Sequence, residues 1–144
     1  MDEHRALCQH GCETFERLKA AKCGDLIITL QDVRRAQQWV RGLFAQHDRV
    51  GHCERQALLE VVLEVVGSVR GLQVSCGSTQ AVERCISEGF FDGSHGVVVR
   101  GHMRLFVCHF YCISCLAALS NFARRFPRVT LYTDYDDCWQ TRLL

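Results

Sequence analysis

A chain of 144 residues with net charge +1, 48% hydrophobic and 23% charged side chains fits one domain around one core and excludes disorder. No apolar run reaches the roughly 18–20 residues of a membrane-spanning helix, and the start, Met1-Asp2-Glu3-His4-Arg5, leads into no signal-peptide hydrophobic region. The expectation is a soluble chain at work in a cytoplasm, its own or that of a cell into which it is delivered.

Residues 3–22 place Leu7, Phe15, Leu18 and Ala21 near one stripe, which predicts an amphipathic helix broken by Gly24-Asp25. Leu26–Leu30 is β-branched and bounded by turn residues, the pattern of a short buried strand. Asp32 is expected to cap a second helix, in which Val33, Ala36, Val40, Leu43 and Phe44 recur at helical spacing to about Gln46. A third helical pattern starts at His52 and carries a wide apolar face, Ala57, Leu58, Val61, Val62 and Val65, up to Gly67. A helix this apolar belongs at the centre, packed on a sheet.

Leu72–Cys76 reads as a strand, and Ser78 or Thr79 as the cap of a short helix through Cys85 and Ile86. Gly89–Gly96 is a loop by composition. Val97–Val99 and Met103–Phe110, separated by Arg100-Gly101, read as a hairpin. The helix from Ile113 to Phe126 stops before Pro127, and Arg128–Tyr135 is a strand ahead of a tail anchored by Trp139. No repeat or linker interrupts residues 1–144, so the chain is one α/β domain: a single mixed β-sheet flanked by helices.

Ten cysteines are many for this length, but they are scattered and several fall on apolar faces. That favours a reduced setting, with most of them as small core residues, over a disulfide framework. Between Gly93 and Thr133 there is no Asp or Glu, against Arg100, Arg104, Arg124, Arg125 and Arg128. So basic a third of the chain suits an anionic substrate, and a solvated face neutralised by other segments accounts for it equally.

The chemistry-bearing stretch is Phe106–Phe110 running into Cys112-Ile113-Ser114-Cys115, two thiols at a strand-to-helix corner. Upstream, Gly51-His52-Cys53-Glu54 opens another helix. If His52, Cys112 and Cys115 hold one Zn²⁺, three protein ligands leave the fourth tetrahedral position open, as at catalytic rather than structural zinc. Helix N-termini and the cation favour the thiolates. Glu54, two residues from His52, can reach a metal-bound water without ligating the metal. Taken alone, Cys-x-x-Cys also marks redox pairs and zinc knuckles. Cys108 and His109 are near enough in sequence to complete a four-ligand site, although strand alternation sends them to opposite faces.

The combination resembles the zinc cytidine deaminase-like superfamily. His52-Cys53-Glu54 at one helix start, the strand Leu105–Phe110, Cys112–Cys115 at the next helix start, the helix Leu116–Phe126, Pro127 and Val129–Tyr132 follow one another in a similar order. The likeness is to the polynucleotide cytosine deaminases, including the bacterial toxin branch, and covers roughly residues 50–66 and 103–135. It implies a three-layer fold, a Zn²⁺ cofactor on His52, Cys112 and Cys115, and Glu54 as general acid/base. Metal-activated water would add to C4 of cytosine, Glu54 would protonate N3 and the departing amine, and ammonia would leave. Tyr111 stands where many members have Pro. The long gap from Glu54 to Cys112 implies an insertion at 72–96. Only Leu26–Leu30 answers to the strand hairpin that usually precedes the His-x-Glu helix.

Phe110 and Tyr111 precede the zinc helix, where a flipped base can stack, with core packing as the competing place for Phe110. His109 borders the implied mouth as a substrate contact or as a structural histidine. Tyr132, Tyr135 and Asp134 leave the last strand where related enzymes keep substrate-reading residues, unless Asp134 caps the tail. Arg55, Arg100 and Arg104 are better placed for phosphate than Arg124, Arg125 and Arg128 at the far end of the zinc helix, and Cys53 is expected to pack inward. The resemblance thus implies a hydrolase converting cytosine to uracil in nucleic acid, DNA over RNA, single- or double-stranded, as in toxin or mutator domains. A toxin would have an immunity protein as partner, and no membrane is involved. Two alternatives stand beside it: a free cytidine or nucleotide deaminase, since Glu54-Arg55-x-Ala57 is similar to their zinc helix, and a non-catalytic zinc-binding interaction module.

Overall fold

The computed structural model describes residues 27–42, 52–76, 79–108 and 110–135. The predicted helix over residues 3–22, His109 and the tail from Asp136 lie outside them.

Helix α1 (Leu30–Trp39) starts where Thr29 leaves extended backbone at φ −118°, ψ 164°. The Asp32 N–H donates to the Thr29 hydroxyl at 3.2 Å, and the Thr29 N–H donates to the Asp32 carboxylate at 2.8 Å. This capping box satisfies two backbone donors at once and replaces the strand expected at Leu26–Leu30. Ile27–Thr29 lead into a helix, with Ile28 buried in the core. Asp32 is therefore the third helical residue, not the cap. Val33, Ala36, Trp39 and Val40 form the buried side of α1.

Helix α2 (Cys53–Cys76) has 24 residues, about 36 Å of length. It runs through Gly67 and absorbs the strand expected at Leu72–Cys76. Leu58, Leu59, Val62, Leu63, Val66 and Val69 are all buried, so the stripe continues past Gly67. One residue further, the Arg70 guanidinium bonds both oxygens of the buried Asp32 and donates to Glu83 Oε1 at 2.8 Å and the Ile27 carbonyl at 3.2 Å. These contacts outweigh the ~1 kcal/mol that each helical glycine costs relative to alanine. Helix α2 touches α1, α3 (Thr79–Glu88) and α4 (Ile113–Arg125), and is the central element as its apolar face predicts. No helix among the described residues is long and apolar enough to cross a membrane.

Gly89, at φ +70°, ends α3; a Cβ there would sit 2.5 Å from the Trp39 ring. The following loop is anchored by Phe91, fully buried, with its ring stacked 4.8 Å from Phe126 and edge-on to Trp39 at 6.1 Å. Its reverse turn lies at Gly93–Gly96, both with positive φ, where the Asp92 carboxylate accepts from the Ser94 N–H at 2.9 Å. Val97–Val99 therefore fold back on Phe91-Asp92, through the bridge of Asp92 with Val98 and a bond from the Val99 N–H to the Phe91 carbonyl at 3.2 Å. Arg100-Gly101 is no turn, and the expected hairpin is absent.

Strand β1 (Gly101–Val107) pairs instead in parallel with β2 (Val129–Tyr135), Gly101 opposite Val129 and Val107 opposite Tyr135, with α4 as the crossover. Met103, Leu105, Val129 and Leu131 pack against the helical core, while His102, Arg104, Phe106 and Tyr132 are exposed. The α/β class holds. The sheet among the described residues is two parallel strands rather than a mixed sheet, and their outward residues carry no second helical layer.

Candidate metal centre

The chain leaves β1 at Val107 and enters α4 at the carboxyl end of the parallel strands, where open α/β sheets bind ligands. Cys112 is the N-cap of α4, at φ −72°, ψ 156°, its thiol accepting from the Cys115 N–H at 3.4 Å. The Leu116 N–H donates to the Cys112 carbonyl at 3.0 Å. His52 holds the matching position on α2, its carbonyl accepting from the Gln56 N–H at 3.1 Å. Both helix starts present first-turn N–H groups that have no partner within the helix ladder, and the positive dipole end, which suit thiolates and anions.

The two helices bring together three groups separated by sixty residues of chain. His52 Nδ1 lies 3.6 Å from Cys112 Sγ and 3.4 Å from Cys115 Sγ, and the three ligand atoms fall within 4.8 Å of one another. Zinc bonds of about 2.05 Å to nitrogen and 2.3 Å to sulfur, at a tetrahedral angle, set N and S about 3.6 Å apart. The observed separations match, so the donor set of these three described residues fits one metal ion. Cys108 is exposed and stands outside the group, and His109 lies outside the described residues.

Cys115 is fully buried, and burial first, then the neighbouring Cys112 and the Glu54 carboxylate, push its thiol well above the ordinary cysteine value. A thiol buried in this way ionises only where a cation or another positive charge offsets the burial. The described cysteines 53, 85, 108, 112 and 115 are all free. Glu54 is buried at the edge of the group, 7% exposed, and accepts from the Cys53 thiol at 3.4 Å. Cys53 itself is exposed, contrary to the inward packing expected of it.

The aromatic residues divide. Tyr111 is half-buried, and its hydroxyl donates to the Leu105 carbonyl at 2.9 Å and the Asp134 carbonyl at 3.0 Å. It staples the carboxyl ends of β1 and β2 beside the metal ligands. Phe110 is 46% exposed rather than packed in the core, its ring 4.7 Å from the exposed Tyr135. Asp134 bonds the Tyr135 N–H at 2.8 Å through its own carboxylate. Tyr132 points from the sheet face opposite the helices and so away from the thiols.

Among the arginines, Arg55 is buried and donates Nε to the Val40 carbonyl at 3.2 Å, which makes it a support rather than a phosphate contact. It belongs to a collar formed by residues 40–42. Asn121 of α4 donates to the Arg41 carbonyl at 2.9 Å, and a Cβ on Gly42 would fall 1.9 Å from Ser114 Oγ. The segment thus touches the first turn of α2 and, on α4, Ser114 in the first turn and Asn121 in the third. A glycine inside the helix expected to reach Gln46 is the one sequence signal for it. Elsewhere, an apolar groove of about 620 Å³ runs along the middle of α2, between Val61, Val65, Val69 and Val97–Val99, with none of the three metal ligands in its lining.

Neither a family model, nor a curated protein, nor a solved structure matches this chain.

Proposed function

We propose that this chain is a zinc-dependent hydrolytic deaminase that converts cytosine to uracil within a nucleic acid, DNA in preference to RNA. The observation that carries the reading is the convergence of His52 Nδ1 and the Cys112 and Cys115 thiols at two helix starts, at 3.4–3.6 Å, beside the buried Glu54. The resemblance of the His52-x-Glu54 and Cys112-x-x-Cys115 motifs supplies the reaction class.

His52, Cys112 and Cys115 would hold the metal, which supplies a water that ionises near neutral pH. Glu54 would take one water proton and pass it to N3 of the base, then take the second from the new C4 hydroxyl and pass it to the leaving amine as that oxygen becomes the carbonyl. One C4–O bond forms, one C4–N bond breaks, and ammonia departs with its electron pair. Tyr111 holds the strand ends rigid behind the ligands, so the site does not depend on a mobile loop. Phe110 and Tyr135 give a wet aromatic edge at the same corner, on which a base can lie.

The test is incubation of purified protein with single-stranded DNA, duplex DNA, RNA and free cytidine, scoring uracil or uridine in each. About one zinc per chain is expected, lost in His52→Ala and Cys112→Ala. Glu54→Gln is expected to keep zinc and lose deamination. Activity unchanged in Glu54→Gln, or zinc-loaded protein inert on all four substrates, overturns the reading. Product from free cytidine alone moves the substrate to the nucleoside.

A further inference from the structure

The face of the sheet turned away from the helices has a composition that the metal centre does not use. In parallel register His102 stands opposite Thr130, Arg104 opposite Tyr132 and Phe106 opposite Asp134. Phe106 is 63% exposed and Tyr132 49%. The Arg104 guanidinium lies 5.4 Å over the Tyr132 ring, and the His102 ring is 6.2 Å from it. Exposed Arg100 and Arg128 sit at the amino end, where the Gly101 N–H meets the Arg128 carbonyl at 3.5 Å. Among the described residues the one acid on the face, Asp134, is at the opposite end, and its carbonyl is held by Tyr111 next to the metal corner.

We infer that this face binds a single-stranded polynucleotide, bases on Tyr132 and Phe106 and phosphates along Arg104, Arg100 and Arg128. An exposed ring with a cation stacked on it is a platform for an unpaired base, whose π-face is open on both sides. Sheet faces that read RNA use aromatic residues in this way. Charge complementarity selects the occupant: Arg100, His102, Arg104 and Arg128 stand against Asp134, and these four lie within the stretch 93–133 that has no Asp or Glu. A second copy of the chain would meet like charge. The face is also small: two strands of seven residues cover on the order of 250 Å², far short of the ~800 Å² per partner of a stable dimer. A base pair has no free face to offer such a platform, so duplex is the poorer ligand. The inference shares its substrate class with the proposed function but does not need its chemistry.

Binding of labelled oligomers of about 16 nucleotides, as single-stranded DNA, single-stranded RNA and duplex DNA, is measured by fluorescence anisotropy over a salt series. Single strands are expected to bind tighter than duplex. Tyr132→Ala should weaken them about 5- to 100-fold, while Tyr132→Phe keeps them. Arg104→Ala should lower the salt slope by about 0.7. Both positions are exposed, so a circular dichroism spectrum and a melting curve equal to the parent's confirm that the loss is local. Parent affinity in Tyr132→Ala and Phe106→Ala, or tighter binding of duplex, overturns the inference. So does a dimer in sedimentation that Phe106→Ser abolishes. Deamination with an unaffected Tyr132→Ala sinks this face alone, and strand binding without deamination sinks the proposed chemistry alone.

Discussion

Gly42 governs how closely residues 40–42 approach the metal helix, because Ser114 sits between the two cysteines and is itself buried. A methyl group at position 42 would collide with the Ser114 hydroxyl, which would have to turn away, and would press on the Ser114 carbonyl at 3.1 Å, so that the first turn of α4 gives by a few tenths of an ångström. Ligands held by displaced second neighbours typically lose 10- to 100-fold in metal affinity, and about that loss is expected of Gly42→Ala in a chelator-competition titration. Ser114→Ala alone should bind zinc nearly as the parent. Added to Gly42→Ala, it removes the closest contact and should recover part of the affinity, a coupling that a double-mutant cycle reads directly. Additive losses would show that the two residues do not act on each other. The grouping of His52, Cys112 and Cys115 was legible, because His-x-Glu and Cys-x-x-Cys each sit at a helix start. The collar was not, since a glycine matters here only through a residue seventy positions away.

At the scale of elements, the Asp32–Arg70–Glu83 network joins α1, α2 and α3. Burial alone would raise the Asp32 carboxyl, but the hydrogen bonds from Arg70 and Thr29 outweigh it and hold it below the ordinary value of 3.8. A carboxylate depressed in the folded state contributes stability that is complete above its unfolded pKa of about 4 and disappears as pH falls through the lower folded value. Urea midpoints are therefore expected to hold from neutral pH to about pH 5 and then fall, with a smaller acid-dependent drop in Asp32→Asn. At pH 7 Arg70→Met should cost about 3 kcal/mol, because it leaves the wholly buried Asp32 carboxylate with the Thr29 N–H at 2.8 Å and the Arg35 guanidinium at 3.6 Å in place of its bidentate partner. An acid profile identical in Asp32→Asn and parent would remove Asp32 from the account. This network also explains why local sequence reading failed at both ends of it. Leu26–Leu30 looked like a strand and Leu72–Cys76 like another because a short aliphatic run does not by itself tell strand from helix, and in the helical state Ile28 is buried while Ile27, Leu30 and Leu72 are exposed. Which state forms was decided by a capping box at Thr29 and by an arginine whose partners are 38 and 13 residues away. Helix α4 and strand β2 needed no such distant partner, and Pro127 marked their boundary within a residue.

At the scale of the molecule, the sequence pattern identified the α/β class and the β1–α4–β2 unit, and with them the corner that carries the thiols. It did not identify the pairing of the strands, because Val97–Val99 and Met103–Phe110 are adjacent in sequence and a hairpin is the shortest way to pair them. The turn at Gly93–Gly96 uses up the first segment, and β1 is left to pair in parallel across α4. One consequence concerns stability. His52 belongs to the central helix and Cys112 and Cys115 to the crossover helix, so a shared metal ion would cross-link the two elements that support the core and the sheet. A ligand bound by the folded chain alone stabilises it by RT ln(1 + [L]/Kd), about 2.7 kcal/mol at a hundredfold excess over Kd. For a chain of this length that is a rise of about 5–10 °C in Tm. Scanning calorimetry with zinc and after chelation should show that difference in the parent and in Glu54→Gln, and none in His52→Ala. A Tm that ignores zinc in the parent would mean that the three groups meet without holding a metal. A zinc-dependent rise that survives in His52→Ala would place the ion elsewhere in the chain.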